Sequence, residues 1–409
     1  MKRKSSGIFS IILIALVVII YFYDFRQEEK KTYLVVLSMD GFRWDYPDSI
    51  STPNLDRIAA HGVKAVSLRP AFPSKTFPNH YTMATGLYPD HHGIVLNSFW
   101  DPERERYYSM RDRATVEDAS FYGGEPIWAT AEKQGMKSAS YFWVGSEAKA
   151  GGAQPSIWKK YEHEFPYENR MDSVLAWLQL PEEQRPQLIM WYMDEPDHSG
   201  HRYGPFARHT DSVIMYQDSL LGIYLDRIAA LPHADQINLI VTSDHGMQAS
   251  NPDSTEYLED YIKESWIAEI EGYNPNFNIL AVEGCLDSLY YSLSKGKHFK
   301  VWKANSLPER LKYGTNPRCL DLVVCADSAW RLEGRRQEGL RPSYGDHGYD
   351  NRNTDMHAIF YATGPAFKKA HLHPTFNNVD LYPLMAHILG LKPALVDGKL
   401  ENTIGMLVE

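Results

Sequence analysis

Cysteine is scarce in this chain: among 409 residues only Cys285, Cys319 and Cys325 occur. None lies near the N-terminus, so a lipid anchor on a cysteine there is not expected. Cys319 and Cys325 flank the apolar stretch Leu320 to Val324, which reads as a strand. At ~3.3 Å per residue they would stand about 20 Å apart, beyond the ~7 Å between Cα atoms that a disulfide tolerates. Cys285 is left able to pair with either, or all three remain buried thiols. A basic excess is also missing. Forty-two Lys and Arg against 52 Asp and Glu leave a formal charge of -10, which argues against a stable nucleic-acid partner. It does not exclude a small anionic substrate, because bound metal ions reverse the local field. Internal repeats and low-complexity tracts are absent. After residue 23 no long apolar run occurs.

What is present is globular in character, with 44% apolar and 23% charged residues. The exception is the N-terminus, where Lys2, Arg3 and Lys4 precede an apolar run from Ile8 to Tyr23. The run is slightly short for a spanning helix, which needs about 17–25 residues. It reads as a secretory signal or an uncleaved membrane anchor. The Tyr21-Phe22-Tyr23-Asp24-Phe25 sequence that follows, unlike an Ala-x-Ala cleavage site, favours the anchor with its basic end inside. Either reading places the following domain outside the cytoplasm, on a periplasmic or extracellular face. Residues 1–31 are therefore assigned to an anchor or signal with its linker, and 32–409 to a catalytic domain.

That domain opens on a continuous apolar run, Thr32 to Ser38, typical of a buried parallel strand, and the run ends at Asp40. Leu188–Met193 and Ile237–Thr242 repeat the design and end at Asp194-Glu195-Pro196-Asp197 and Ser243-Asp244-His245. Helical patterns lie between them, at Met171–Leu180 and across Val213–Ile228. Alternating strands and helices predict an α/β fold, a mostly parallel central sheet with helices on both faces. In such sheets ligands bind beyond the carboxyl ends of the strands, and three strands here deliver acids to that edge. Residues 251–343 read as a small inserted subdomain. Within it Ser288–Leu293 looks strand-like, and the Lys295, Lys297, Lys300 and Lys303 series looks like a solvated face.

Asp40, Thr76, Asp197, His201, Asp244, His245 and His347 form a candidate two-metal constellation. Mixed carboxylate and imidazole ligands suit zinc, and two ions can clamp the entering and leaving oxygens of a phosphoryl displacement. Two registers compete at one motif: Asp194 with His198, and Asp197 with His201. Spacing does not choose between them.

Four segments carry a resemblance. Pro73-Ser74-Lys75-Thr76-Phe77-Pro78-Asn79-His80-Tyr81 resembles the nucleophile motif of the nucleotide pyrophosphatase/phosphodiesterase family, and Thr85–Pro89 and His92–Ile94 continue it. Glu195–Pro205, Ser243–Met247 and His347–Asn351 resemble its later blocks. The resemblance runs from about Tyr33 to Leu400. It implies the fold of the alkaline-phosphatase superfamily and two zinc ions, one on Asp197, His201 and His347, the other on Asp40, Thr76, Asp244 and His245. It thereby selects Asp197 and His201. It further implies hydrolysis of phosphodiester or pyrophosphate bonds in nucleotides through a covalent intermediate on Thr76, with net retention at phosphorus. Asn97 would bind a nonbridging oxygen, and Phe77, Trp158 and Tyr192 would hold the base. An alternative within the family is a choline or lipid phosphodiesterase, since an aromatic cage holds a quaternary ammonium group. A sulfatase is disfavoured by Thr76, and a non-catalytic tethered protein by the intact ligand set.

Overall fold

The computed structural model describes residues 30–336 and 343–408. The proposed anchor lies outside the described residues, and so does its linker except for Lys30 and Lys31; among the described residues no helix is long and apolar enough to cross a membrane.

Eight strands form the central sheet: β1 (Tyr33–Met39), β2 (Val63–Ala65), β3 (Ser138–Tyr141), β4 (Ile157–Lys159), β5 (Leu188–Met193), β6 (Ile237–Thr242) and, after an insertion that includes a four-stranded sheet, β11 (Phe360–Thr363) and β12 (His371–His373). Their order is β12-β2-β11-β6-β1-β5-β3-β4. All pairings are parallel except those of β11, which runs antiparallel to both β6 and β2. Every residue of β1, β5 and β6 is buried, as their unbroken apolar runs require.

Alternation along these strands feeds two cores. Val35, Leu37, Ile189, Trp191, Leu239 and Val241 pack under helices α1 (Pro53–His61), α4 (Tyr167–Leu178) and α6 (Arg208–Ala229). Leu34, Val36, Leu188, Met190 and Ile240 face α2 (Thr76–Thr85), α3 (Ile127–Lys133) and α8 (Leu381–Ile388). Each large apolar side chain so buried contributes about 1.5–3 kcal/mol. The sheet's edge is thus a stiff platform for whatever its strand ends carry.

The insertion holds a second, antiparallel sheet of β7 (Ile267–Tyr273), β8 (Asn276–Ala281), β9 (Phe299–Lys303) and β10 (Leu322–Ala326), in the order β7-β8-β10-β9. Ser288–Leu293 does not form a strand: it belongs to helix α7 (Leu286–Leu293). Leu286, Leu289 and Leu293 recur at three- and four-residue spacing, and the latter two are fully buried beneath the sheet with Phe277 and Phe299. A short apolar run satisfies either period, and packing decided it. Cys319 sits in a turn before β10, and all three cysteines are free. Lys295, Lys297 and Lys300 are exposed, and Lys303 is half-buried.

One buried acid ties this insertion to the main body. Glu271 on β7 accepts a hydrogen bond from the Trp100 amide, in the Ser98–Asp101 strand that follows Asn97. Its other oxygen is buried and has no hydrogen-bond partner of good geometry among the described residues. Burial pushes the Glu271 carboxyl well above the usual range, so the folded chain holds a proton that the unfolded chain releases near pH 4.3. Stability should therefore fall as pH rises through the interval above that value. Glu271→Gln keeps an acceptor for Trp100 and should flatten this slope, making the variant the more stable at neutral pH. Urea midpoints from pH 4 to 8 check this; parallel slopes for both proteins would contradict it.

Candidate active site

Three strand ends converge. Asp40 follows β1, Asp197 opens helix α5 (Asp197–Tyr203) after β5, and Asp244 and His245 follow β6. The Asp197 amide donates to the Asp40 carbonyl at 2.9 Å, locking two of these loops together. Gly41 permits that approach. Its φ is +69°, and a Cβ there would stand 2.8 Å from the Asp197 Cα. The Gly41 amide also reaches Asp244 Oδ1 at 3.3 Å. His201 lies one helical turn beyond Asp197 on the same face of α5. His347 arrives on a two-residue ribbon, Gly345–Asp346, paired with Gln248–Ala249 beyond β6.

Each imidazole is oriented by its second nitrogen. Nδ1 of His201 meets the Gly345 carbonyl at 2.7 Å, that of His347 the Ser74 carbonyl at 2.8 Å, and that of His245 the Gly246 carbonyl at 2.8 Å. Since Nδ1–H donates in each case, Nε2 presents a lone pair, the arrangement typical of metal-binding histidines. The Nε2 atoms of His201 and His347 stand 3.5 and 3.6 Å from Asp197 Oδ1, and that of His245 stands 3.4 Å from Asp40 Oδ1 and 3.0 Å from Asp244 Oδ2. Asp40 Oδ1, Asp197 Oδ1 and Asp244 Oδ2 are buried and accept no hydrogen bond from the described residues. Buried carboxylate oxygens without donors, facing imidazole lone pairs, fit cations and little else. The ligand atoms of Asp197, His201 and His347 lie within 4.8 Å of one another, and so do those of Asp40, Asp197 and His245.

The electrostatics agree. Burial, then the Asp244 and Asp197 carboxylates, push Asp40 well above the usual range. Burial alone would raise Asp244 too, but His245 and His80 outweigh it and hold Asp244 well below, while Asp244 in turn lifts His245 against its burial; without a metal ion the imidazole supplies the positive charge that a bound cation would bring. Burial, with the neighbouring His245 and His201, keeps His347 neutral, the form that ligates metals.

Thr76 is the first residue of α2, and its Oγ1 lies 3.3 Å from His245 Nε2. A helix N-terminus favours an anion at this position. The Phe77 amide donates to Asn97 Oδ1 at 2.9 Å, and Asn97 Nδ2 donates to the Tyr273 hydroxyl at 2.6 Å. Beside Thr76 opens a cleft of about 500 Å³ lined by Phe77, Arg113, Phe142, Glu147, Tyr161 and Tyr192, among others. The Tyr192 hydroxyl donates to Asp40 Oδ2 at 2.7 Å. Trp158 is not in this lining. It sits on edge strand β4 opposite Ser140, and Tyr161, three residues later, supplies the aromatic wall, 6.3 Å from Tyr192 between ring centroids.

Residues 34–350 match the family described as type I phosphodiesterase/nucleotide pyrophosphatase. The chain belongs to that family. Murine ectonucleotide pyrophosphatase/phosphodiesterase 5 superposes with a TM-score of 0.87 at 33% identity, covering 92% of this chain and all of that one. An inactive threonine-to-alanine variant of the same murine protein, solved in complex with AMP, superposes equally well at 32% identity over 93% of this chain and all of that one. The fold is accordingly alkaline-phosphatase-like. A venom phosphodiesterase of Crotalus durissus collilineatus is 37% identical over 89% of this chain and 45% of its own length. Human ectonucleotide pyrophosphatase/phosphodiesterase family member 1 is 34% identical over 89% of this chain and 40% of its own. The chain thus spans less than half the length of these curated relatives.

Several residues of this phosphodiesterase-family site escaped the sequence reading. His80, one turn after Thr76, is fully buried, bonds Ser38 Oγ through Nε2 at 2.9 Å, and joins Asp40 and Asp244 in a third acid–imidazole group. Its place in the nucleophile motif was visible, but its partners were not. Tyr161 carried a signal in being aromatic next to Trp158. Tyr273 and Glu147 carried none, because their partners lie 176 and 34 residues away.

Proposed function

We propose that this chain hydrolyses phosphodiester or pyrophosphate bonds of nucleotides through a covalent phosphothreonine on Thr76, with two zinc ions as cofactors. The carrying observation is a threonine hydroxyl at a helix N-terminus, set among oriented imidazoles and three buried carboxylate oxygens that have no hydrogen-bond partner among the described residues. Asp197, His201 and His347 would hold one ion, and Asp40, Thr76, Asp244 and His245 the other. Such ions would neutralise the carboxylates and lower the pKa of the threonine hydroxyl and of water.

Thr76 Oγ1 would attack phosphorus as the bond to the leaving oxygen breaks, with the N-terminus of α2 aligned toward the charge that develops. The free N–H of the Asn97 amide, whose carbonyl is held by the Phe77 amide, would contact a nonbridging oxygen. Water would then displace Thr76, and two inversions give net retention. Phe77 and Tyr161 are placed to stack a base, while Tyr192, its hydroxyl committed to Asp40, braces a ligand and walls the cleft. In this proposal Tyr161 takes the place that the resemblance gives to Trp158, because Trp158 lies outside the cleft lining.

Release of p-nitrophenol from its thymidine monophosphate diester, its phosphocholine diester and its phosphate monoester tests the reading. The nucleotide diester should dominate. A dominant phosphocholine rate would transfer the same chemistry to a choline or lipid phosphodiesterase. Tyr161→Ala should weaken nucleotide binding by about 1–3 kcal/mol, roughly 5- to 150-fold in KM, while Trp158→Ala should leave KM unchanged. The reverse pattern would restore Trp158. We further place the domain outside the cytoplasm, tethered through its N-terminal segment, with small diesters and not nucleic acid as its partners; membrane fractionation and protease accessibility of intact cells test this.

A further inference from the structure

The inserted sheet delivers to the reaction centre one side chain that no motif contains. Tyr273 is the last residue of β7, and its hydroxyl oxygen accepts from Asn97 Nδ2 at 2.6 Å. The direction of that bond is settled by the other end of the amide, since Asn97 Oδ1 accepts from the Phe77 backbone at 2.9 Å and Nδ2 must donate. A phenol that accepts through oxygen still carries its own proton, and no acceptor among the described residues takes that proton.

The ring is held in place from the side. Lys75, the residue before the nucleophile, is buried and sets its ammonium 4.2 Å from the Tyr273 ring centroid, anchored on the Asn274 carbonyl at 2.6 Å. Although 46% of the residue is exposed, desolvation around the hydroxyl keeps the phenol up at about 12 against the Asn97 hydrogen bond and Arg111. A neutral phenol with an uncommitted proton, beside the amide that is to meet the phosphoryl oxygens, is a donor waiting for an anionic acceptor.

We propose that Tyr273 is a further catalytic residue, a neutral hydrogen-bond donor to a nonbridging oxygen of the phosphoryl group, acting beside Asn97. It donates a hydrogen bond and retains its proton, so the balance of the transfer is unchanged. The inference rests on Thr76 being the nucleophile at this centre. It gives the inserted subdomain a direct part in the chemistry.

The test uses the full-length zinc-loaded protein and the p-nitrophenyl thymidine diester, together with the two diastereomers of its phosphorothioate analogue. Tyr273→Phe keeps the ring and the Lys75 contact. It should lower kcat for the oxygen ester by about 100-fold, the usual loss of one such donor, with little change in KM. Sulfur accepts hydrogen bonds poorly, so the diastereomer that turns sulfur toward Tyr273 should lose much less on mutation, while the other loses as much as the oxygen ester. That ratio between diastereomers is internal to each sample and does not depend on the fraction of folded enzyme. An unchanged kcat, or an equal loss on all three substrates, would overturn the proposal. Thr76→Ala run alongside separates the two levels: wild-type-like hydrolysis by that variant would remove the nucleophile assignment, and this inference with it.

Discussion

Thr76→Ala should reduce hydrolysis of the thymidine diester by about 10⁴-fold or more, the scale on which removal of a nucleophile acts when the rest of a site stays intact. The substitution is clean in this fold. Among the described residues the Oγ1 atom makes a single long contact, 3.3 Å to His245 Nε2, and alanine suits the first turn of a helix at least as well as threonine. The denaturation midpoint of the metal-free protein should therefore hardly move, while kcat of the loaded protein collapses. Thr76→Ser, which keeps a hydroxyl, should retain measurable turnover and should still trap label from a phosphorus-labelled substrate on the protein. Rapid quenching followed by peptide mapping reads that adduct. Retained activity in the alanine variant, or label at another residue, would refute the covalent role.

Stripping metal with a chelator should abolish turnover and also destabilise the fold. Three buried carboxylate oxygens, on Asp40, Asp197 and Asp244, have no donor among the described residues, and burial with mutual repulsion already displaces Asp40 upward. Ions that bind only the folded chain stabilise it by about 4 kcal/mol per site at a thousandfold excess over Kd, so the melting temperature should fall steeply on chelation and return with zinc. The same cluster predicts opposite signs for one mutation. Asp197→Asn relieves like-charge repulsion and should raise the melting temperature of the metal-free protein. In the loaded protein it should lower bound metal from two ions per chain and depress activity. Elemental analysis with paired melts checks both halves. A metal-free wild type as stable as the loaded one would remove the cation reading of this cluster.

The gathering of the proposed ligands at one sheet edge was legible because it obeys local rules. A run such as Tyr33 to Met39, apolar on both alternating faces, has to be an interior parallel strand, and whatever ends it lies on the carboxyl edge of the sheet. Asp40, Asp197, Asp244 and His245 reach one place for that reason. The spacing of Asp197 and His201 is one turn of a helix. The competing Asp194 and His198 pair has the same spacing, and the fold separates them: His201 is aimed by the Gly345 carbonyl, whereas Asp194 is engaged by Arg170 at 2.9 Å.

The sequence by itself determined the class of the fold, the order of its motifs and the residue types gathered at the strand ends, since these follow from hydrophobic periodicity along short stretches of chain. Only the tertiary structure decided which aromatic walls the cleft, that residues 286–293 coil beneath the second sheet, and that Tyr273 meets Asn97. Those outcomes depend on the register of edge strands and on contacts between segments up to 176 residues apart. Neither leaves a mark on the local pattern, because contacts between distant segments are set by the partners each segment meets, and a short apolar run is compatible with either period.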